Sequence, residues 1–133
     1  MNFRRQRPPF TSRAARGARS FRRGQWAETL CRWLLRLKGY RILARNYRSR
    51  AGEIDLIVKR GNVLAAVEVK ARSSREAAGE SVLGRQRVRI ARALENYLAL
   101  HPGLQDLQLR FDVVLVAPSR LPLHVPDAWR PGS

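Results

Sequence analysis

Two carboxylates and an ammonium on neighbouring strands can hold a divalent cation and handle a phosphate. Residues 53–70 contain such a set. Glu53-Ile54-Asp55-Leu56-Ile57-Val58 and, after a break, Val63 to Lys70 both read as strands, with apolar residues recurring at every second position. Gly61-Asn62 between them suits a two-residue hairpin turn, because both residues tolerate positive φ. With that turn Arg60 opposes Val63, Asp55 falls across from Glu68, and Glu53 falls across from Lys70. Opposed residues share a face, with Cβ atoms about 4.5–5.5 Å apart. A three-residue loop would put Asp55 opposite Val67 and mix charge with core, so the shorter loop is preferred. The expected core face is then Ile54, Leu56, Val58, Val63, Ala65, Val67 and Val69.

Carboxylates facing each other destabilise a sheet unless something compensates them. A divalent cation compensates them. Hard oxygen ligands beside an ammonium suit Mg²⁺ and a phosphate substrate. The plainer alternative is a solvated charged face on which Lys70 neutralises one acid.

The flanking segments supply the frame. Residues 25–38 predict a helix with an apolar stripe of Trp26, Leu30, Trp33, Leu34 and Leu37, ended by Gly39 as the residue after the cap. Glu28 lies off the stripe centre, in the first turn, where the helix dipole favours an acid and Arg32 stands four residues on. Residues 40–47 predict a strand with Asn46 near its end, and Arg48-Ser49-Arg50 a loop closed by Gly52. The polar run 72–80 leaves directly from the acidic residues and is a candidate substrate-contacting loop.

Residues 81–100 predict a second helix. Gln86, Ile90, Leu94, Tyr97 and Leu98 face the core, and Arg85, Arg89 and Arg92 form a basic row that can contact phosphates. His101-Pro102-Gly103 stops it. Residues 107–116 predict a long strand with Leu107, Leu109, Phe111, Val113 and Leu115 on one face, and with Asp112 paired to Arg110 or Arg48. Residues 121–125 predict a short edge strand, and Trp129 packs back onto the body. The order predicts an α/β mixed sheet with helices on its faces.

At 133 residues the chain is one domain by size, and 44% hydrophobic residues make it globular. The net charge is +17, of which residues 1–23 supply +8 through eight arginines without any acid. We read 1–23 as a disordered basic arm and 24–133 as the folded domain, itself basic. Such a surplus indicates a polyanionic partner, nucleic acid before membrane. Cys31 is the one cysteine, so no internal disulfide forms, and it is expected to pack as a small hydrophobe. No apolar run is long enough to span a membrane. A reducing cytoplasm fits.

An Asp followed on the paired strand by Glu-x-Lys is the signature of the PD-(D/E)xK nucleases. Gly52-Glu53-Ile54-Asp55-Leu56-Ile57 with Val67-Glu68-Val69-Lys70-Ala71-Arg72 resembles the bacterial YraN-type family, UPF0102. The resemblance extends to Glu28, Gly39-Tyr40, Asn46-Tyr47-Arg48, Arg110-Phe111-Asp112-Val113 and His124 through Trp129. It implies a restriction-endonuclease-like fold and a metal-dependent nuclease. Asp55 and Glu68 would ligate Mg²⁺ or Mn²⁺, and Glu28 would be a third acidic group that binds a second metal or orients a water. Lys70 would act on the nucleophile or the phosphate charge, and Glu53 would set the position of Lys70. Arg48, Arg72, Arg85, Arg89 and Arg92 would contact nucleic acid, DNA before RNA. Resemblance to junction-resolving relatives adds a homodimer as the expected assembly.

Gln86 departs from the family, where a lysine is common at that position. The departure leaves a second class open, a non-catalytic nucleic-acid-binding module. A third class is a basic RNA-associated protein.

Deleting residues 1–23 is expected to weaken nucleic-acid affinity and flatten its salt dependence. The log–log slope falls by about 0.9 for each duplex phosphate that the arm neutralises. Binding titrations across salt concentrations check this, and an unchanged slope would show that the arm does not touch nucleic acid.

Overall fold

The computed structural model describes residues 26–71, 84–118 and 120–131. The expected arm at 1–23 and the loop at 72–80, with Arg72, lie outside them.

Helix α1 covers residues 26–37. It ends as the glycine requires. Gly39 takes φ +94, its N–H donates to Arg36 O at 3.0 Å, and the Tyr40 N–H donates to Leu35 O at 2.9 Å. These are the two reversed bonds of a Schellman cap. The face that α1 buries is not the expected one. Ala27, Cys31 and Leu35 are sealed in the core, whereas Trp26, Trp33 and Leu37 are 51%, 58% and 81% exposed. Leu30 and Leu34 are half-buried between the two faces. The small side chains of Ala27 and Cys31 let the helix lie close to the sheet, where indoles would hold it off.

Strands β1 (Arg41–Arg48), β2 (Glu53–Arg60), β3 (Val63–Ala71), β4 (Gln108–Val116) and β5 (Leu123–Trp129) form one sheet in sequence order, and helix α2 (Gly84–Leu100) lies between β3 and β4. All neighbours are antiparallel except β3 and β4. A parallel pair needs a long crossover connection, and α2 lies in it. A short 3₁₀ turn, Pro102–Leu104, follows α2 at the expected stop.

The β2–β3 hairpin has the predicted register, with Arg60 opposite Val63 and Leu56 opposite Val67. Only Gly61 of the turn pair uses positive φ, at +60. That is the type II′ requirement rather than the I′ pattern that needs both residues.

The sheet is covered on both faces, as the expected helices on its faces require, and this corrects only the local reading of the hairpin as having one core face. Leu56, Val58, Ala65, Val67, Val114 and Val116 pack under α1. Ile57, Leu64, Ala66, Phe111, Val113 and Leu115 pack under α2 with Ile90, Ala93, Leu94 and Tyr97. Ile54 joins the α2 side rather than the side of Leu56. The two-residue alternation therefore slips between them, at Asp55. Strand β5 runs on to Trp129, beyond the short strand expected at 121–125. Trp129 stacks on Phe111 with ring centroids 4.4 Å apart. A register shift on β4 between Phe111 and Val113 accommodates the longer strand, and Asp127 turns through φ +53.

Asp112 is fully buried at that shift and pairs with Arg110, as one of the two expected partners. The Arg110 Nε and Nη2 donate to its two oxygens at 2.9 and 2.8 Å. His124 Nε2 donates at 2.8 Å and the Asp127 N–H at 2.9 Å. The Lys38 Nζ sits on His124 Nδ1, which fixes the tautomer with the proton on Nε2. Arg110 also reaches the Tyr40 hydroxyl. Burial alone would push the Asp112 carboxyl up, but the bonds from His124, Arg110 and Asp127 outweigh it and hold it below 3.8. A depressed acid contributes stability above its unfolded pKa and loses it as pH falls through the folded one. Asp112→Asn is expected to cost about 3–5 kcal/mol in urea unfolding at pH 7, because Arg110 is left without its buried counter-charge.

Candidate active site

The β2–β3 ladder runs back from the turn as far as Leu56 and Val67. One step further, carboxylates take over the backbone donors. The Val69 N–H donates to Asp55 Oδ2 at 2.8 Å, and the Asp55 N–H donates to the Glu68 carboxylate. The two acids that the register places together are thus held together where the ladder opens. They line a cleft with Glu53, Arg85, Gln86, Arg89 and Ile90.

Burial is what makes the pair unusual. Glu68 is only 6% exposed. Desolvation first, and the charge of Asp55 second, push its pKa up from 4.5 to about 8, with Lys70 drawing it down. Desolvation also raises Asp55, against the Val69 hydrogen bond and the Lys70 ammonium. A hard cation would reverse both effects, so the donor set fits Mg²⁺ or Mn²⁺. Among the described residues no three His, Cys, Asp or Glu side chains already converge as a metal-ligand set. Glu28 approaches from α1, near enough to Asp55 for the two charges to repel. Burial and the charge of Asp55 raise its carboxyl, while Arg32 at 3.5 Å lowers it, so the expected i,i+4 pair also forms.

Two residues outside the predicted set shape the site. Asn46 takes φ +50 and donates from Nδ2 to Glu28 Oε1 at 3.4 Å. Asparagine tolerates that backbone region better than most residues, which is the signal its sequence position carried. Gln86 donates from Nε2 to Glu68 Oε2 at 3.3 Å. Helical spacing predicts it as a core-facing residue, and it is instead half-buried in the cleft.

The basic residues separate. Arg85 and Arg89 line the cleft of the acids, whereas Arg92 lines another one with Arg87, Glu95 and Pro131. Glu53 ion-pairs with Arg48 at 3.7 Å, both well exposed, rather than setting the position of Lys70 as expected. Gly52 brings the β1–β2 loop against α2. A Cβ there would lie 2.9 Å from both the Cβ and the carbonyl oxygen of Arg89, and Arg89 Nε donates to Ala51 O at 3.3 Å. Below the site Cys31 is fully buried. Desolvation, with Asp55 and Glu28 adding to it, pushes its thiol up to about 12, so it packs without reacting.

The described fold and cleft make this an α/β protein whose five-stranded mixed sheet fits a restriction-endonuclease-like architecture, with the half-buried Asp55 and the buried Glu68 at the open end of its central hairpin. The sequence model of the uncharacterised protein family UPF0102 matches residues 27–116. The chain is 53% identical over 128 residues to a UPF0102 protein of Parvibaculum lavamentivorans, covering 92% of this chain and 96% of the relative. It is 51% identical over 127 residues to a UPF0102 protein of Paramagnetospirillum magneticum, covering 92% and 95%. The chain belongs to the UPF0102 family.

A raised acid contributes its full stability below its unfolded pKa, and that contribution is lost as pH rises through the folded value. For Glu68 the window runs from 4.5 to about 8. Metal-free Glu68→Gln is therefore expected to be more stable than wild type at pH 8, by about 1–3 kcal/mol, and equally stable near pH 4. Urea unfolding across this pH range in EDTA measures the difference.

Proposed function

We propose that the protein is a metal-dependent nuclease that hydrolyses phosphodiester bonds. The observation that carries this reading is the Asp55–Glu68 pair beside Lys70, with Glu68 buried and Asp55 half-buried, in a cleft that Arg85 and Arg89 also line. Two desolvated acids cost stability, and a structural role gains nothing from them. Asp55 and Glu68 would hold Mg²⁺ or Mn²⁺. Such an ion supplies an acidified water and a polarised phosphate.

The chain's own residues do the rest. The Lys70 ammonium lies close enough to draw both carboxyls down, and it can stabilise charge growing on the phosphate. Arg85 and Arg89 hold the flanking phosphates. Glu28, steadied by Arg32 and Asn46, accepts a proton from a water or supports a second ion. The overall charge of +17 brings polyanions to the cleft. DNA is the preferred substrate in this reading, and a two-fold assembly would bring two such sites to two strands.

A non-catalytic binding module is the second reading. Gln86 favours it, since a neutral amide meets Glu68 where a lysine is common in the family.

Thermal melts across a Mn²⁺ titration test the site. Wild type is expected to gain about 2.7 kcal/mol at a hundred times the dissociation constant. Asp55→Asn keeps an acceptor for the Val69 N–H, and Glu68→Gln keeps its shape, yet neither variant is expected to respond to the metal. Cleavage of labelled branched, nicked, single-stranded and duplex DNA with Mg²⁺ or Mn²⁺ should fall more than about a hundredfold in both variants. A wild type without a metal-dependent rise overturns the metal site. A rise without cleavage selects the binding module.

A further inference from the structure

Helix α1 has an apolar face that lies largely outside the core. Trp26, Leu30, Trp33 and Leu37 recur at spacings of four, three and four residues, and of these only Leu30, at the edge of the stripe, packs partly against the core. At about 100° per residue they fall within one narrow stripe, turned well away from Ala27, Cys31 and Leu35. Both indoles are more than half exposed, and Leu37 more so. Two tryptophans offered to solvent on one helix face form a surface built for contact, since a lone surface aromatic needs no such partner at helical spacing.

The charge around the stripe selects what it contacts. Going round the helix from Glu28, the surface passes Arg32, largely covered and paired with Glu28, then the exposed Arg36, and reaches Trp33 and Trp26. The stripe thus lies about 140–160° from Glu28, outside the acidic cleft, with guanidinium groups on the way between them. A second copy docked there about a two-fold axis would bring the arginines of two strongly basic chains together. A polyanion that carries flat apolar rings meets both requirements.

Resting on the nucleic-acid reading above, we propose that Trp26 and Trp33 are a stacking platform for unpaired bases, with Arg36 contacting the backbone between the platform and the acidic cleft. The indoles stand two turns apart, about 10 Å along the axis. Bases that stack on both must be unstacked from each other. Duplex DNA hides its ring faces within the stack, so the platform takes single strands or the unpaired arm of a branched substrate. The substrate class is DNA that carries an unpaired strand.

The test uses the full-length Asp55→Asn protein in EDTA, which separates binding from cleavage and from metal. Its probes are a labelled oligo(dT) and a blunt duplex of equal length. Trp26→Ala/Trp33→Ala in this background is expected to lower oligo(dT) affinity at least tenfold, given that each stacked base contributes roughly five- to hundredfold. Duplex affinity should change less than twofold, and Trp26→Phe/Trp33→Phe should keep most of the oligo(dT) binding. Oligo(dT) should also quench the indole emission of the parent. Equal losses on both probes, or no loss on either, overturn the platform. Parent sedimentation that shows a dimer, lost in the alanine variant, assigns the stripe to a second copy and overturns it too. If the parent binds neither probe, the platform and the nucleic-acid reading fall together, while the Mn²⁺ melts still report on the acidic site. If it binds both probes and only the stacking test fails, the nuclease reading stands without the platform.

Discussion

The parallel pairing of β3 with β4 constrains everything around it. Two parallel neighbours cannot be joined by a tight turn, so the chain must cross the sheet between them, and α2 lies in that crossing. Its position covers the face of Ile57, Leu64 and Ala66, which a free hairpin would leave wet. It also brings Gln86 onto Glu68 and Arg89 against Gly52. The cleft is therefore a product of topology. Its acids lie on the hairpin, its basic wall lies on the crossover helix, and the parallel ladder keeps the two together. Both faces of β3 and β4 are consequently apolar, as in sheets sandwiched between helices.

Two buried acids show what separates a structural carboxylate from a poised one. Asp112 is as deeply buried as Glu68, but it receives Arg110, His124 and a backbone N–H, and its pKa moves down. Glu68 shares its space with Asp55 and receives less compensation, and its pKa moves up. The same desolvation acts on both, so the sign is decided by partners. Asp112 ties β4 to β5 and, through His124 and Lys38, to the end of α1. Its satisfied network holds the sheet together at the site where the β4 register shifts. That stability offsets an acidic pair that by itself weakens the metal-free fold.

Helix α1 is apolar on two sides, and only one of them can face the sheet. The side with Ala27, Cys31 and Leu35 lies on it because small residues allow a close approach. That choice brings Glu28 to the side of Asp55 and leaves the indoles in solvent. The same short helix so contributes to the core, to the acidic site and to an exposed aromatic surface.

Much of this was legible from local pattern. The hairpin register as far as Leu56 and Val67 followed from Gly61-Asn62 and from the alternation of side chains, because opposed positions in a ladder are fixed once the turn is known; one step further, backbone N–H groups bonded to the carboxylates, not ladder pairing, hold Asp55 and Glu68 together. The end of α1 at Gly39, the Glu28–Arg32 pair, the buried Cys31 and the Asp112–Arg110 pair were equally readable, each resting on neighbours near in sequence or on one residue's intrinsic preference. Tertiary structure alone decided the rest. Which apolar face of α1 turns inward depends on the surface it meets, and the hydrophobic pattern favoured the wrong face. The burial of the second sheet face, the bond from Gln86 to Glu68, the reach of Asn46 to Glu28 and the extension of β5 to Trp129 all join segments far apart in the chain. The raised pKa values belong to this group too, for a sequence can place two acids side by side, but only the packing of α1 and α2 over them removes the water that would have kept them ordinary.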